Sequence, residues 1–354
     1  MQAKIKKVYE LMDKEGLDAL LIDSPENRYY LTGFTGTAGR VLLTGKGAYF
    51  ITDFRYVEQA KKQTEGYEIV ELSSNFEKGL NELLKKDGVK RLGFESKAIS
   101  HEQFLKYNEV LEVELQKTTD LIEGLRVIKG PEEIEKIKKA VEITDAAFAH
   151  ILGIIKPGVT EREIALELEF FQKRMGGEKN AFDFIVASGQ RSSLPHGVAS
   201  DKVIEKGDFV TLDFGVFYQG YCSDLTRTVV VGEPDEKQKE IYGLVLKAQL
   251  AVIERVKAGM SCKEVDEIAR GIIGEAGYRE NFGHGLGHGI GLEIHEAPRV
   301  SFTSETILQP GMVVTNEPGI YIPGWGGVRI EDDLLITEEG CEVLNKAPKE
   351  LIIL

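Results

Sequence analysis

Apolar residues near the start of the chain recur at helical spacing. Ile5, Val8, Leu11 and Met12 fall three or four apart with Lys and Glu between them, which predicts a helix over residues 2–16 with Gly16 as its C-cap. Short, mostly apolar runs follow: residues 17–22, 41–43, 48–51 and 91–95 predict strands, while residues 54–65 and 75–87 return to the helical pattern. Strands alternating with helices predict an α/β domain. The stretch Phe34-Thr35-Gly36-Thr37-Ala38-Gly39 is Gly-rich, yet it lacks the Gly-Lys-Ser/Thr ending and the strand-to-helix frame of a phosphate loop. Thr52-Asp53-Phe54-Arg55-Tyr56 ends a strand with polar and aromatic groups; an ion pair inside the domain is the first reading, a face toward a functional site or a partner subunit the second.

The pattern changes near residues 118–130. Gly130-Pro131 followed by Glu132 and Glu133 is a helix start, because Pro at the first helical position loses no hydrogen bond and acids favour the positive helix end. A helix over 131–155 follows, and the chain divides into domains 1–122 and 123–354. The second domain repeats itself. Lys156-Pro157-Gly158-Val159-Thr160-Glu161-Arg162-Glu163 parallels Lys257-Ala258-Gly259-Met260-Ser261-Cys262-Lys263-Glu264, 101 residues later. Thr160 with Glu163 and Ser261 with Glu264 are capping boxes, each hydroxyl accepting from the amide three residues on and each Glu reaching back. Each unit runs helix, cap, helix and then a β segment. Residues 182–189 predict a core strand, and His196 sits in a turn after Pro195.

Each β segment ends in a hairpin with an acid on either arm. A turn centred on Tyr218 and Gln219 sets Asp213 opposite Asp224, and a turn centred on Gly324 sets Glu317 opposite Glu331. Opposed side chains in a hairpin lie about 4.5–5.5 Å apart at Cβ, and like charges there are destabilising. Solvent exposure, or pairing with Arg227, Arg329 and nearby lysines, accounts for one such pair. Two pairs in apolar strands call for a cation between them. Residues 281–296 then add His284, His288 and His295, three of the chain's six histidines, in a glycine-rich run that lets backbone approach closely. Carboxylate oxygens with one or two imidazoles favour Mn, Fe, Co or Zn over a thiolate site. Two similar halves, each giving one carboxylate pair, place all four acids at a pseudo-twofold axis, and neither half holds metal alone.

These segments resemble the pita-bread metallopeptidases, family M24: Xaa-Pro dipeptidase (prolidase), aminopeptidase P and methionine aminopeptidase. Leu212-Asp213-Phe214-Gly215 through Asp224 is similar to the family's first acid pair. His288-Gly289-Ile290-Gly291, with His295 seven residues on, is similar to its HGxG-to-His segment. Glu317-Pro318-Gly319-Ile320-Tyr321 and Arg329-Ile330-Glu331-Asp332 are similar to its last two ligand segments. The resemblance spans residues 126–354, and residues before that resemble the creatinase/prolidase N-terminal domain. It implies an α/β (α+β) fold with a C-terminal pita-bread domain, and five ligands: Asp213, Asp224, His288, Glu317 and Glu331. It also implies two divalent ions per subunit, Mn first and Co, Zn or Fe after it, bridged by Asp224 and Glu331, with a shared hydroxide attacking the peptide bond. In that scheme Glu317 doubles as the proton shuttle, His196 and His295 hydrogen-bond the scissile carbonyl or oxyanion, and Tyr321 and Arg329 orient ligands or bind a substrate carboxylate. An ion pair between Arg329 and Glu331 is the plainer expectation for that arginine. His284 receives no ligand role, since the motif match begins at His288.

The implied activity is hydrolysis of Xaa-Pro dipeptides or of Xaa-Pro peptide N-termini, in a homodimer. A catalytically silent binding protein on the same fold and a methionine-aminopeptidase-like enzyme are the alternatives; the complete ligand set argues against the first, the N-terminal domain against the second. Composition changes little in this picture. With 44 basic and 58 acidic residues the net charge is −14, which argues against nucleic acid as a partner. Three cysteines, Cys222, Cys262 and Cys341, show no CxxC spacing and suit a reducing compartment; Cys222 reads as a packing residue. Without a signal-peptide pattern or a membrane-length apolar run, the expectation is a cytoplasmic protein away from membranes.

Overall fold

A computed structural model describes residues 2–72 and 74–354, and the chain forms two compact units, one ending at Arg126 and one running from Val127 to Leu354. In the first unit, α1 (Gln2–Glu15), β1 (Ala19–Ile22), α2 (Pro25–Thr32), β2 (Arg40–Thr44), β3 (Gly47–Thr52), α3 (Val57–Gln63), β4 (Glu68–Glu71), α4 (Phe76–Asp87), β5 (Arg91–Glu95), α5 (His101–Val110), β6 (Glu114–Thr118) and α6 (Glu123–Arg126) follow in order. The six strands make one sheet ordered β4-β3-β2-β1-β5-β6. β1 to β3 pair antiparallel, while β4, β5 and β6 join in parallel. Leu21, Leu42 and Leu92 from the sheet bury against Leu80 and Leu84 of α4 and Tyr107 of α5.

Five of these elements fall outside the sequence expectation: α2, β4, α5, β6 and α6. The first shows why. It buries Asn27, Arg28 and Thr32 beside Tyr30 and Leu31, and it is started by the Ser24 hydroxyl, which accepts from the Asn27 amide at 3.2 Å, with Pro25 at the first helical position. α3 is shorter than the predicted 54–65 because Asp53 folds residues 53–56 into a turn: its carboxylate takes the Arg55 amide at 3.0 Å and pairs with the guanidinium at 2.8 Å.

The second unit contains α7 (Pro131–Ile151), α8 (Glu161–Arg174), β7 (Ile185–Ser188), β8 (Phe209–Phe214), β9 (Phe217–Tyr218), β10 (Tyr221–Cys222), β11 (Leu225–Val230), α9 (Glu236–Arg255) and α10 (Cys262–Glu275). It continues with β12 (Gly287–Gly289), β13 (Glu296–Val300), β14 (Val313–Asn316), β15 (Gly319–Ile322), β16 (Gly326–Arg329), β17 (Asp332–Ile336) and β18 (Cys341–Val343). The two halves have parallel anatomy. Phe148 and Ile151 of α7 and Ile164 and Leu168 of α8 pack on Val186, Val210, Leu212 and Phe214. Val245 and Val252 of α9 and Val265 and Ala269 of α10 pack on Val314, Leu334 and Ile336. At about 1.5–3 kcal/mol for each fully buried aliphatic or aromatic side chain, these two cores dominate what holds each half. Both capping boxes form with the same geometry: Thr160 Oγ1 and Ser261 Oγ each accept from the Glu three residues on at 3.2 Å, and each Glu carboxylate accepts the cap amide at 2.7 Å. Among the described residues no helix is long and apolar enough to cross a membrane.

Candidate metal centre

The first acid hairpin has a different register from the one expected. Gln219 and Gly220 both take left-handed backbone, φ 46° and 75°, and close the turn between Tyr218 and Tyr221. Asp213 therefore lies opposite Thr226, not Asp224. The slip moves the partner by two residues, which keeps it on the same face. Asp224 itself falls between β10 and β11, where its amide donates to Asp333 Oδ2 at 3.0 Å. Gly215 lets the chain close there, since a Cβ would meet the Ser223 carbonyl at 2.0 Å.

The second hairpin has the expected register. Asn316 faces Asp332 on one side and Gly319 faces Arg329 on the other, so counting inward sets Glu317 against Glu331. His288 lies on β12, which pairs with β14. Its amide donates to Thr315 Oγ1 at 3.0 Å, and that hydroxyl donates to Glu317 Oε1 at 3.1 Å. Thr226 Oγ1 donates to Glu331 Oε2 at 2.5 Å. Thus Glu317 and Glu331 each accept from a threonine hydroxyl, and Asp224 is held through its backbone amide.

The imidazole of His288 brings its Nε2 to 3.4 Å from Glu317 and 3.8 Å from Asp224. Its Nδ1 lies 3.1 Å from the Gly289 carbonyl, which can only accept, so Nδ1 carries the proton and Nε2 turns its lone pair toward the acids. Burial first, and His295 second, push its pKa down to about 4, so the ring is neutral at pH 7. Ligand atoms of Asp224, His288 and Glu331 all lie within 4.8 Å of one another. The carboxyls behave oppositely. Burial pushes Glu317 up to about 8; Asp224 rises well above the usual carboxylate range through burial and then Glu331 and Asp213, and Glu331 through burial and then Glu317 and Asp213. Asp213 is also raised by burial, against the pull of Arg329. Asp213 Oδ1 and Asp224 Oδ1 are buried without a hydrogen-bond partner. Converging carboxylates with unpartnered oxygens and one neutral imidazole fit a divalent cation with oxygen and nitrogen ligands.

The expected Arg329–Glu331 pair is replaced by another. Arg329 donates to Asp213 Oδ2, to Thr226 Oγ1 at 3.0 Å, to the Tyr321 hydroxyl at 2.7 Å and to the Pro195 carbonyl at 3.3 Å. The Tyr321 hydroxyl in turn lies 2.9 Å from His284 Nε2, whose Nδ1 is 2.7 Å from the Gly285 carbonyl. Tyr321 thus accepts from Arg329 and donates to His284. His284, which stood outside the expected site, sits 4.0 Å from Glu317 and belongs to this chain of bonds. Arg227 pairs with Asp332 at 2.7 Å, behind the acids. A cavity of about 560 Å³ gathers Asp213, Asp224, His288, Glu317, Glu331 and Arg329, with His196, His284 and His295 on its wall beside Phe182, Ile185 and Val198. The His295 ring is 4.4 Å from that of His288. Cys222 turns away from the acids: its thiol donates to the Gly291 and Glu293 carbonyls at 3.3 and 3.4 Å, and burial pushes its pKa well up, so it packs rather than reacts.

The profile of metallopeptidase family M24 matches residues 135–338, the span that carries every one of these acids. The chain belongs to metallopeptidase family M24. The Creatinase/Prolidase N-terminal domain matches residues 4–128, so this domain precedes the M24 pita-bread unit in the chain. The solved structure of Xaa-Pro dipeptidase from Bacillus anthracis is 54% identical, covers 100% of this chain and 99% of that one, and has a TM-score of 0.98. The Xaa-Pro dipeptidase of Pyrococcus horikoshii is 48% identical over 99% of both chains. The crystal structure of X-Pro aminopeptidase from Thermotoga maritima is 41% identical, covers 96% of this chain and 98% of that one, and has a TM-score of 0.91. This M24 protein is accordingly a metallopeptidase, with the two-domain architecture of the prolidases.

Proposed function

We propose that this enzyme is an Xaa-Pro dipeptidase. The observation that carries the reading is a converging carboxylate–imidazole donor set inside a chain similar along its whole length to proteins named for that activity. Aminopeptidase P is the second reading, favoured by the likeness to the Thermotoga enzyme. Asp213, Asp224, His288, Glu317 and Glu331 would hold two divalent ions, Mn first among Mn, Co, Zn and Fe. When bound, such ions polarise a carbonyl and lower the pKa of water to near neutrality. Glu317, at the centre of the donor set, would take the proton of the attacking water and return it to the amide nitrogen. His196 and His295, on the cavity wall, donate to the scissile carbonyl as charge develops on its oxygen. Arg329 and Tyr321 fix Asp213 and His284, and Arg329, on the cavity wall, offers positive charge to a substrate carboxylate. A proline imide has no N–H to satisfy, and the apolar wall of Phe182, Ile185 and Val198 supports packing of its ring.

We further infer a cytoplasmic homodimer, a reading supported by the three free cysteines and by the family resemblance. The decisive experiment compares an Ala-Pro dipeptide with a longer Xaa-Pro-Yaa peptide, using metal-stripped protein resupplied with Mn, Co or Zn. Proline released from the dipeptide alone establishes the dipeptidase. Cleavage of the longer peptide with the dipeptide spared establishes aminopeptidase P, and cleavage of neither with any metal overturns both.

A further inference from the structure

Glu161 is the first residue of α8, a place where acids ordinarily face solvent and meet the positive helix end. Here Glu163 does the capping, and Glu161 is wholly buried. Its carboxylate collects five donors. Oε1 accepts the Ser188 amide at 2.7 Å and the Ser188 hydroxyl at 2.9 Å. Oε2 accepts the Ser200 amide at 3.1 Å, the Ser200 hydroxyl at 2.6 Å and the Arg191 guanidinium. Ser188 ends β7, and Ser200 is twelve residues further on. One carboxylate therefore ties together the two ends of the segment that carries His196.

The middle of that segment is fixed separately. Arg191 also donates to the Val198 carbonyl at 2.9 Å. The Ser192 hydroxyl donates to the Gly189 carbonyl at 2.6 Å and accepts the Gly327 amide of β16 at 2.9 Å. Gly327 must be glycine for this, because a Cβ would meet the Ser192 carbonyl at 2.4 Å. The Pro195 carbonyl accepts from Arg329 at 3.3 Å. All of these bonds act on the backbone and neighbours of His196, and they decide where its imidazole stands on the cavity wall.

We propose that Glu161 is a positioning residue that acts through His196, clasping residues 188–200 so that the imidazole meets the scissile carbonyl. The proposal rests on the hydrolytic reading above. The chemistry of the clasp is specific to a carboxylate: five donors converge on two acceptor-only oxygens. A glutamine offers one oxygen and one NH₂, so one end of the segment is left facing a donor.

The test uses the full-length metal-loaded enzyme as wild type, Glu161→Gln, His196→Ala and the double variant. Glu161→Gln is expected to lower kcat by about 10- to 100-fold, the range for a misplaced group, with KM and bound metal unchanged. Amides of residues 189–199 are expected to exchange with deuterium at least tenfold faster, while those of β12 and β14 keep their rates. The double variant is expected to match His196→Ala within twofold, because a clasp with nothing to hold has no further effect. An unchanged kcat, or losses that multiply in the double variant, overturns the proposal and leaves Glu161 a fold residue. If Glu161→Gln does not fold, Ser200→Ala removes a single donor and is expected to show the same signature at about threefold; no effect on kcat or exchange overturns the proposal there too. If wild type cleaves neither peptide, the hydrolytic reading falls by itself, and the exchange rates alone judge the clasp.

Discussion

Asp224→Asn is expected to make the metal-free protein more stable and the metal-loaded protein less so. In the metal-free site the Asp224 carboxyl is buried, one oxygen has no partner, and burial followed by Glu331, Asp213, Asp333 and Glu317 raises its pKa well above the usual range. Ligand atoms of Asp224 and Glu331 lie within 4.8 Å, where two unit charges repel by about 3.5 kcal/mol at an effective dielectric of 20. Protonation caps that penalty: holding an ordinary Asp carboxyl protonated at pH 7 costs about 4 kcal/mol. The two limits agree, and asparagine avoids both. Stripped Asp224→Asn is thus expected to gain up to about 3 kcal/mol, which is several degrees in Tm for a unit of this size. The sign follows from linkage. A raised folded-state pKa contributes stability that is full below the unfolded pKa and is lost as pH rises toward the folded value, so the gap between variant and wild type opens above about pH 4. With metal at 1,000 times its Kd, wild type gains about 4.1 kcal/mol and the variant none, which reverses the order. Differential scanning calorimetry of both proteins in chelator and in Mn, at pH 5 and pH 7.5, reads all four states. A stripped wild type more stable than the stripped variant at pH 7.5, or an equal metal-induced rise in both, would refute the reasoning.

Three further outcomes are expected. Arg329→Lys should lower kcat/KM at least 100-fold, about 2.7 kcal/mol, because one ammonium cannot serve Asp213, Thr226 and Tyr321 together; a loss under threefold at full metal content shows that charge alone suffices. Metal affinity should rise with pH until about 8, where Glu317 of the metal-free site loses its proton, and calorimetry in two buffers at pH 7 should find protons released on binding; flat affinity from pH 6 to 8 contradicts this. Cys222→Ala should keep kcat within twofold and lose on the order of 1 kcal/mol of stability with its two carbonyl contacts; a tenfold fall in kcat gives the thiol a role in the site.

How much of this was legible in the sequence depended on whether a local signal decided the feature. Both capping boxes and the second hairpin are local: Gly324 takes φ 76° and fixes the register that sets Glu317 against Glu331. The first hairpin misled because Gln219, not glycine, takes left-handed backbone, a conformation that its residue type does not announce. α2 showed no clear apolar stripe because polar groups share its buried face with Tyr30 and Leu31, Asn27 bonded to Glu95 at 2.5 Å and Arg28 to the Gly39 carbonyl at 2.6 Å. In the site, the acids were legible as pairs, but their supports were not. Thr226, Thr315 and Asp333 look like ordinary strand residues, and Glu161 like any acid in a first helical turn. His284 gave one weak signal, its place in the same glycine-rich run as His288. Most of what these residues do depends on partners from 27 to 109 positions away, and no local pattern carries that.

Those distant supports explain why the repeat and the site are one construction. The halves brace one another's acids. Thr226 of the first half donates to Glu331 of the second, and Arg329 of the second holds Asp213 of the first. Asp333 of the second accepts the amide of Asp224, while Arg227 of the first is paired with Asp332. Each bond crosses between halves, so removing either half would leave the other's buried acids both unbraced and unneutralised. A buried carboxylate without its partners is among the most costly things a fold can hold. The acids can therefore converge only after both helix pairs have packed and their sheets have met. The strain of four like charges is then confined to a scaffold already stabilised by two hydrophobic cores. It also follows that the donor set should assemble cooperatively: a change that loosens one half weakens metal binding by residues of the other, even where no ligand has been touched.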